Sequence, residues 1–247
     1  MRILIYGAGV IGGKSMKNIM IRGVIFDLDG VLVHTDELHF RAWSCIAEEL
    51  GIPFDRGAND RLRGVSRAES LERLLALKPE VRLGDKEKAA LCERKNSLYR
   101  ASLETLTAAD IPPAVRAVLE ILRKRKLRLA VGSSSRNARL ILQRTELEQA
   151  FDAVTDGTMI TASKPDPEVF LRAAALLGLE PDVCAVVEDA PAGILAAHRA
   201  GMYAIGLGAC ATGDGIRPDL LLSRLTELPA LPALGGEGSP PSRTGIR

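Results

Sequence analysis

Polar side chains follow four strand-like stretches of the chain, at the point where each stretch ends. These side chains are Asp27 and Asp29, then Ser133, Ser134 and Ser135, then Lys164, and finally Glu188 and Asp189. Ligands bind beyond the carboxyl ends of the strands in an open parallel sheet, so we expect the four ends to meet at one edge. Two acidic ends, one hydroxyl-rich end and one cationic end together predict a site for phosphoryl transfer.

The acidic residues offer both a nucleophile and ligands for a cation. The carboxylates of Asp27 and Asp189, with the backbone carbonyl of Asp29, form an oxygen-only set suited to Mg²⁺. Once a cation offsets the charge repulsion, Asp27 can attack phosphorus and form an aspartyl phosphate. Asp29 can act as general acid and base. Ser133 and Lys164 can hold the transferring oxygens, where charge spreads in the transition state.

Helices and strands alternate in the second half of the chain, which is typical of a parallel sheet with helices on both faces. We predict strands at 24–28, 127–131, 151–154, 183–187 and 202–205, and helices at 114–125, 137–144, 167–177 and 192–200. The segment between the first two strands has helical apolar spacing throughout, which predicts an inserted helical domain. The predicted fold class is therefore α/β, a Rossmann-like parallel-sheet core with an α-helical cap.

The predicted organisation has four parts. They are an N-terminal extension at 1–20, a discontinuous Rossmann-like catalytic core at 21–35 and 107–230, the helical cap at 36–106, and a tail at 231–247. The tail is rich in Gly, Pro and Ser, which predicts disorder. Thr35 and the chain near Leu106 cross between core and cap, so both are candidate hinges.

Four segments resemble the four motifs of the haloacid dehalogenase-like superfamily. They are residues 24–31, the serine loop at 133–137, residues 163–167 and residues 188–194. Their order and spacing match, and the resemblance covers about residues 21–225. It implies the same strand assignments as the alternation of apolar and polar segments.

The predicted cap resembles one family within that superfamily, the β-phosphoglucomutases. Residues 36–43, 64–70 and 94–96 are similar to its cap motifs, and residues 133–137 to its phosphate loop. The resemblance implies a phosphosugar mutase that interconverts β-D-glucose 1-phosphate and glucose 6-phosphate. It also implies Mg²⁺, an aspartyl-phosphate enzyme and a bound β-glucose 1,6-bisphosphate as intermediate.

The same resemblance implies roles for individual residues. Asp27 is the nucleophile and Asp29 the acid and base. The Mg²⁺ ligands are Asp27, Asp29, Glu188 and Asp189. The substrate-facing and phosphate-binding residues are Ser133, Ser134, Ser135, Asn137, Lys164, Gly64, Val65, Arg67, Ser70, His39, Trp43 and Lys95. Among these, Ser133 and Lys164 would hold the transferring phosphate, and Arg67, Ser135 and Asn137 the other one.

Several of these side chains have a structural alternative. Arg67 suits a phosphate because a guanidinium fork matches phosphate geometry, but it could be a solvated arginine at a helix start. His39 could be a packing residue one turn from Trp43, and packing is the favoured interpretation of Trp43 itself. His34 stands where the resembled family has an aspartate, which bears on the hinge and on the local proton network.

Two other functions remain open. A phosphatase of the same superfamily, acting on sugar phosphates with Mg²⁺, would have the same core site, and water rather than a sugar hydroxyl would accept the phosphoryl group. Residues 7–12 match G-x-G-x-x-G after an apolar run, a pattern found in NAD(P)-binding modules, which we keep as a remote alternative. The next strand begins about ten residues later, which is short for a crossover that contains a helix.

Composition restricts partners and compartment. Lys and Arg number 33 against 31 Asp and Glu, a net charge of +2, so no bulk field favours nucleic acid or an anionic membrane. Four widely spaced cysteines and no C-x-x-C predict reduced thiols and a cytoplasmic location. No coiled-coil pattern or long apolar face is present, so we predict a monomer that acts on a small phosphosugar.

Overall fold

A six-stranded parallel sheet is the centre of the structure, a computed structural model that describes residues 20–62, 65–213 and 215–235. The strands are β1 (Gly23–Phe26), β2 (Arg128–Gly132), β3 (Ala153–Thr155), β4 (Cys184–Glu188), β5 (Tyr203–Leu207) and β6 (Leu220–Leu222). Their order is β3-β2-β1-β4-β5-β6. The order reverses between β1 and β4, and ligands bind at such a reversal, beyond the strand ends. Phe26 is in register with Val187 there, so Asp27 and Glu188 follow on adjacent strands.

Successive side chains of the strands point to opposite faces of the sheet. Val24 and Phe26 belong to one apolar cluster, whereas Ile25 belongs to another. The helices α5 (Pro113–Lys124) and α6 (Ala138–Arg144) contribute to the first cluster, and α7 (Glu168–Leu177) and α8 (Pro191–Arg199) to the second. Because both faces are covered, the central strands are continuous apolar runs rather than alternating ones.

Among the described residues, four α-helices lie between β1 and α5 in the chain. They are α1 (Asp36–Glu49), α2 (Arg56–Asp60), α3 (Arg67–Leu75) and α4 (Asp85–Leu103). They have an apolar cluster of their own, formed by Trp43, Ile46, Ala47, Ile52, Leu62, Leu71, Leu74 and Leu75. We call residues 36–103 the cap helices. Ala42 of α1 and Tyr99 and Leu103 of α4 belong instead to the first cluster over the sheet, so the cap helices pack against one another and, through α1 and α4, against the core.

Two sequence predictions differ from the structure. Residues 231–235, expected in the disordered tail, form a short turn in which Leu231 and Leu234 are buried against the core. Apolar contact outweighs the Gly and Pro content there. The short strand β6 and the short helix α2 were not predicted. The predictions for residues 1–19 and 236–247 lie outside the described residues.

Within the described part of the chain, no helix is both long enough and apolar enough to cross a lipid bilayer.

Candidate active site

A buried ion-pair network lies where β1 and β4 end. The Lys164 ammonium group donates to the Asp27 carboxylate and, at 2.8 Å, to Glu188 Oε2. Burial alone would lower the pKa of Lys164, but the two carboxylates outweigh it and raise that pKa. Burial also raises the pKa of Asp27 to about 7, although Lys164 opposes the shift. Lys164 is therefore a fixed cation that holds two strand ends together.

Three buried carboxylates converge at this point. Oxygens of Asp27, Glu188 and Asp189 lie within 4.8 Å of one another. With Lys164 as their cationic partner, these four groups carry a net charge of −2 when ionised. Burial and the nearby Asp189 charge raise the pKa of Glu188, as expected where negative charge is in excess. An all-oxygen set with two uncompensated charges fits a divalent cation such as Mg²⁺.

Glu188 is held from two sides. Its Oε1 accepts hydrogen bonds from the backbone N–H groups of Asp189 (3.2 Å) and Ala190 (3.1 Å), while Oε2 faces Lys164. Helix α8 begins beside it, and Gly193 permits this approach, since a Cβ atom on Gly193 would lie 2.0 Å from Glu188 Oε2. The carboxylate therefore has no freedom to move away from the cluster.

Asp29 lies two residues beyond the nucleophile candidate and faces the first cap helix. Its carboxylate accepts a hydrogen bond from Thr35, whose Oγ1 accepts one from the Tyr99 hydroxyl of α4 at 3.2 Å. Burial and the Asp27 charge raise the pKa of Asp29 to about 7. An aspartate with a pKa near neutrality can both donate and accept a proton, which suits a general acid and base.

The serine loop after β2 is held by its own hydroxyl groups. Ser133 Oγ accepts from the Ser135 N–H at 3.1 Å, and Ser135 Oγ accepts from the Asn137 N–H at 3.2 Å. The Ser133 N–H in turn donates to the Thr155 carbonyl of β3 at 3.0 Å. Ser134 Oγ has no hydrogen-bond partner among the described atoms. The loop thus presents hydroxyl groups to the site on a fixed backbone.

On the cap side, Lys95 lies in a buried pocket of aromatic rings. Its Nζ is 2.8 Å from His39 Nδ1, 5.2 Å from the centre of the Trp43 ring and 4.6 Å from that of Tyr99. Burial and the Arg67 charge lower the pKa of Lys95 to about 7. His39 therefore contacts both a lysine and the Tyr99 ring, whose centre is 4.0 Å from its own. Trp43 both packs in the cap cluster and lines the cavity described below.

Arg67 begins helix α3, where Ser66 is the N-cap and accepts from the Glu69 N–H at 3.1 Å. Arg67 Nη1 donates to Glu93 Oε1 at 2.9 Å and to the Cys92 carbonyl at 3.3 Å. The Arg67 side chain is 19% exposed, so the interpretation as a solvated arginine does not describe it. It is held by α4, and among the described residues its other guanidinium N–H groups make no hydrogen bond.

The other cap residues of the prediction differ in their surroundings. Ser70 is buried, and its hydroxyl donates to the Ser66 carbonyl at 2.9 Å, with the Leu62 carbonyl at 3.5 Å as a second acceptor, so its hydrogen bonds stay within the cap. Val65 is partly buried and lines the cavity. Gly64 lies outside the described residues. His34, which replaces the expected aspartate, is exposed.

A cavity of about 330 Å³ lies between the sheet edge and the cap helices. Its wall includes core residues from all four strand ends and cap residues from α1, α3 and α4. The core residues are Asp27, Asp29, Ser133, Ser134, Ser135, Asn137, Lys164 and Asp189, and the cap residues include His39, Trp43, Val65, Arg67, Ser70 and Lys95. The volume is in the range of small-molecule sites. The structure thus brings together these predicted residues. Glu188 does not line the cavity but contacts Lys164, which does.

Sequence reasoning missed two residues on α4. Tyr99 and Arg100 follow Lys95 and Asn96 by four positions, and residues four apart share a helix face. Tyr99 contacts Thr35, and Arg100 Nη1 donates to Asn137 Oδ1 at 3.2 Å. The four-residue spacing was the available signal for both.

The site combines a nucleophile candidate after β1, a hydroxyl loop after β2, a buried lysine and an acidic pair after β4. This combination defines a class of phosphoryl-transfer protein. The family model for haloacid dehalogenase-like hydrolase matches residues 21–201. The chain belongs to this family.

Within that family, the β-phosphoglucomutases are prominent among the similar proteins. The β-phosphoglucomutase of Bacillus subtilis (strain 168) is 46% identical over 189 residues, which cover 76% of this chain and 84% of the relative. A β-phosphoglucomutase structure from Clostridium difficile superposes with a TM-score of 0.79 at 33% identity, covering 85% of this chain and 93% of the other. The predicted family resemblance and fold class are confirmed.

A phosphatase relative is also similar. The phosphorylated carbohydrates phosphatase of Thermotoga maritima is 34% identical over 188 residues, which cover 75% of this chain and 84% of the relative. Both open functions of the superfamily are therefore represented among the similar proteins, the mutase at the higher identity.

Proposed function

We propose that this protein is a β-phosphoglucomutase, an intramolecular phosphotransferase that interconverts β-D-glucose 1-phosphate and glucose 6-phosphate. The observation that supports the proposal is the shared cavity, since core and cap each contribute candidate phosphate-binding side chains to it. A bisphosphate intermediate has two phosphate groups and needs both sets at once. The 46% identity to the mutase of Bacillus subtilis supports the same conclusion.

Asp27 is the proposed nucleophile. Its carboxylate attacks phosphorus, and the bond to the leaving sugar oxygen breaks as the aspartyl phosphate forms. Lys164 and Ser133 hold the transferring oxygens, where negative charge spreads in the transition state. The Mg²⁺ proposed at Asp27, Glu188, Asp189 and the Asp29 carbonyl would offset charge between the carboxylate and the incoming phosphate when bound.

Asp29 is the proposed general acid and base. Protonated, it gives its proton to the departing sugar oxygen; ionised, it takes the proton from the sugar hydroxyl that next attacks the aspartyl phosphate. Its pKa of about 7 lets both forms be populated near neutral pH. Thr35 orients the carboxylate, and Tyr99 orients Thr35.

The cap residues are proposed to bind the other phosphate and the sugar. Arg67 lies at the start of α3 and lines the same cavity as Ser135 and Asn137 of the core. His39, Trp43, Val65, Ser70, Lys95 and the undescribed Gly64 complete the proposed sugar side. Enclosure between core and cap excludes water from the aspartyl phosphate, which a mutase requires.

The decisive experiment follows two products from one substrate. Purified protein is incubated with Mg²⁺, β-glucose 1-phosphate and a trace of β-glucose 1,6-bisphosphate, while glucose 6-phosphate and inorganic phosphate are measured separately. Formation of glucose 6-phosphate without matching phosphate release, abolished by Asp27→Asn, is the expected result. Phosphate release with little glucose 6-phosphate would instead establish the alternative, a sugar-phosphate phosphatase like the Thermotoga maritima relative.

Partners and location are proposed on the same basis. A small phosphosugar is the expected substrate, and a cytoplasmic monomer without nucleic-acid or membrane partners is the expected state. The NAD(P) alternative at residues 7–12 lies outside the described residues. Deletion of residues 1–15 should leave the mutase activity unchanged, whereas a dinucleotide-binding module would lose its affinity for nucleotide.

A further inference from the structure

Two residues of cap helix α4 form hydrogen bonds with one side chain of the core phosphate loop. Arg100 Nη1 donates to Asn137 Oδ1 at 3.2 Å, and Asn137 Nδ2 donates to Asn96 Oδ1 at 2.9 Å. Asn96 and Arg100 are four residues apart and share one face of α4. Asn137 is buried, lies at the N-cap of α6 and lines the cavity. We call Asn96, Arg100 and Asn137 the amide clamp.

Arg100 determines in which of two orientations the Asn137 amide group lies. Two facing amide groups such as Asn96 and Asn137 can pair in either of two orientations, because each amide carries both a donor and an acceptor. A guanidinium group has donors only. Asn137 Oδ1 must therefore face Arg100, which leaves Nδ2 to face Asn96.

The orientation has a consequence inside the cavity. Nδ2 of Asn137 carries two N–H groups, and one of them is used by Asn96. Among the described residues the other makes no hydrogen bond and can donate to an anionic ligand, whereas the opposite orientation would present a carbonyl oxygen. Arg100 itself does not line the cavity.

We propose that Arg100 is a positioning residue. It orients the Asn137 amide so that Nδ2 can donate in the cavity, and it ties α4 to the phosphate loop. It acts through Asn137 and not by contact with substrate. The part of this inference that concerns sugar bisphosphate rests on the proposed function. The part that concerns the clamp rests on the unliganded geometry alone.

The test uses three substitutions at one position. Arg100→Met removes the donors, Arg100→Lys keeps a donor-only cation, and Arg100→Glu replaces donors by acceptors and so favours the opposite orientation of Asn137. Lys88→Met is the matched control, because Lys88 is also a cation on α4 but pairs with Glu72 at 2.8 Å, within the cap helices. Thermal unfolding checks that all four variants fold.

For Arg100→Met we expect the KM for β-glucose 1-phosphate to rise about three- to tenfold, which is the net contribution of one typical hydrogen bond. The fraction of turnovers that release phosphate should rise as well. Arg100→Lys should recover part of the loss, and Arg100→Glu should be worse than Arg100→Met. Equal effects of Met and Glu would overturn the orientation argument, and Arg100→Met kinetics equal to those of Lys88→Met would overturn the positioning role.

Hydrogen exchange on the unliganded protein separates this inference from the proposed function. Amides 134–138 should exchange faster in Arg100→Met than in the wild type and in Lys88→Met, because α4 no longer ties the loop. Unchanged exchange there would overturn the clamp whatever reaction the protein catalyses. Faster exchange in a protein that makes no glucose 6-phosphate would keep the clamp and reject the mutase.

Discussion

Lys164 and Arg67, the cations proposed to bind phosphate on the core wall and the cap wall of the cavity, are held by different kinds of contact. On the core wall, Asp27, Lys164 and Glu188 are buried at strand ends and joined by ion pairs between buried side chains. On the cap wall, Arg67 comes from a helix start and pairs with Glu93, whose side chain is 70% exposed. Buried pairs resist rearrangement, whereas exposed pairs are weak and exchange readily with water.

The same difference holds for the apolar contacts behind each wall. The core wall is backed by clusters on both faces of a six-stranded sheet, and the cap wall by a smaller cluster of its own. Groups that perform bond-making steps must keep their positions to a fraction of an ångström. Groups that admit and enclose a substrate must move. The chain therefore places the proposed chemistry on the sheet and the proposed recognition on the helices.

The largest expected effect comes from a substitution of the proposed nucleophile on the core wall. Asp27→Asn removes the negative charge of the nucleophile with almost no change of shape, so we expect activity to fall by at least about 10³-fold. Initial rates with β-glucose 1-phosphate measure the loss, and Asp60→Asn on the exposed surface of α2 is the control. Residual activity above a tenth of the wild type would remove Asp27 from the role of nucleophile.

A cap substitution should affect binding more than chemistry. Arg67→Met loses charged hydrogen bonds to the second phosphate, so we expect KM to rise about 10- to 100-fold, with a smaller fall in kcat. Steady-state kinetics measure this split. Arg73→Met is the matched control, since Arg73 is on the same helix and pairs with Glu69 at 3.0 Å on the surface. A fall confined to kcat would contradict the division between the walls.

The close approach of Gly193 to the Glu188 carboxylate provides a test of how rigidly the core wall is held. Gly193→Ala places a Cβ atom 2.0 Å from the Glu188 carboxylate, which is held and cannot rotate away. We expect a loss of about 1–3 kcal/mol in the free energy of unfolding, or a Tm lower by about 2–4 °C per kcal/mol. Gly57→Ala is the control, since its Cβ would have only an ordinary 3.4 Å contact. Equal Tm values for the two variants would show that the Glu188 side chain can move away from the added methyl group.

The smallest expected effect is the pH dependence of stabilisation by Mg²⁺. Burial raises the pKa of Asp27 from 3.8 to about 7, so the folded, metal-free protein holds a proton that the unfolded chain releases at lower pH. This group's contribution to stability therefore falls as pH rises from about 4 to 7. Because a cation competes with that proton, the gain in Tm from saturating Mg²⁺ should grow as pH rises through 7.

Thermal unfolding with and without Mg²⁺, from about pH 5.5 to 8, measures this gain. Asp189→Asn should remove most of it at every pH, because the variant lacks one of the clustered carboxylates. A gain that shrinks with rising pH would reject Asp27 as a ligand that must first lose a proton.

The core could be predicted from the sequence in more detail than the cap. The helix predicted at 114–125 is α5 (Pro113–Lys124), and the strand predicted at 183–187 is β4 (Cys184–Glu188), each displaced by one residue. Buried strands are uniform apolar runs and helices have a clear apolar stripe, so both patterns are local. Strand β6 (Leu220–Leu222) was not predicted, although β3 has the same length and was.

Within the cap, the residue types were evident but their partners were not. Arg67 and Lys95 were singled out from short motifs, whereas Glu93, Tyr99 and Arg100 were not. The contacts of Arg67 with Glu93 and of Arg100 with Asn137 join residues 26 and 37 positions apart. No local pattern encodes such pairs, because they depend on how α3, α4 and the phosphate loop pack.

The sequence by itself determined which residues follow the strands, and with them the class of chemistry, because strand ends in a parallel sheet meet at one edge. Only the tertiary structure decided the electrostatic state of those residues. The raised pKa values of Asp27 and Asp29, the lowered pKa of Lys95 and the orientation of the Asn137 amide all arise from neighbours distant in the chain. Burial and charge act through space, so their effect appears only when the fold has brought the groups together.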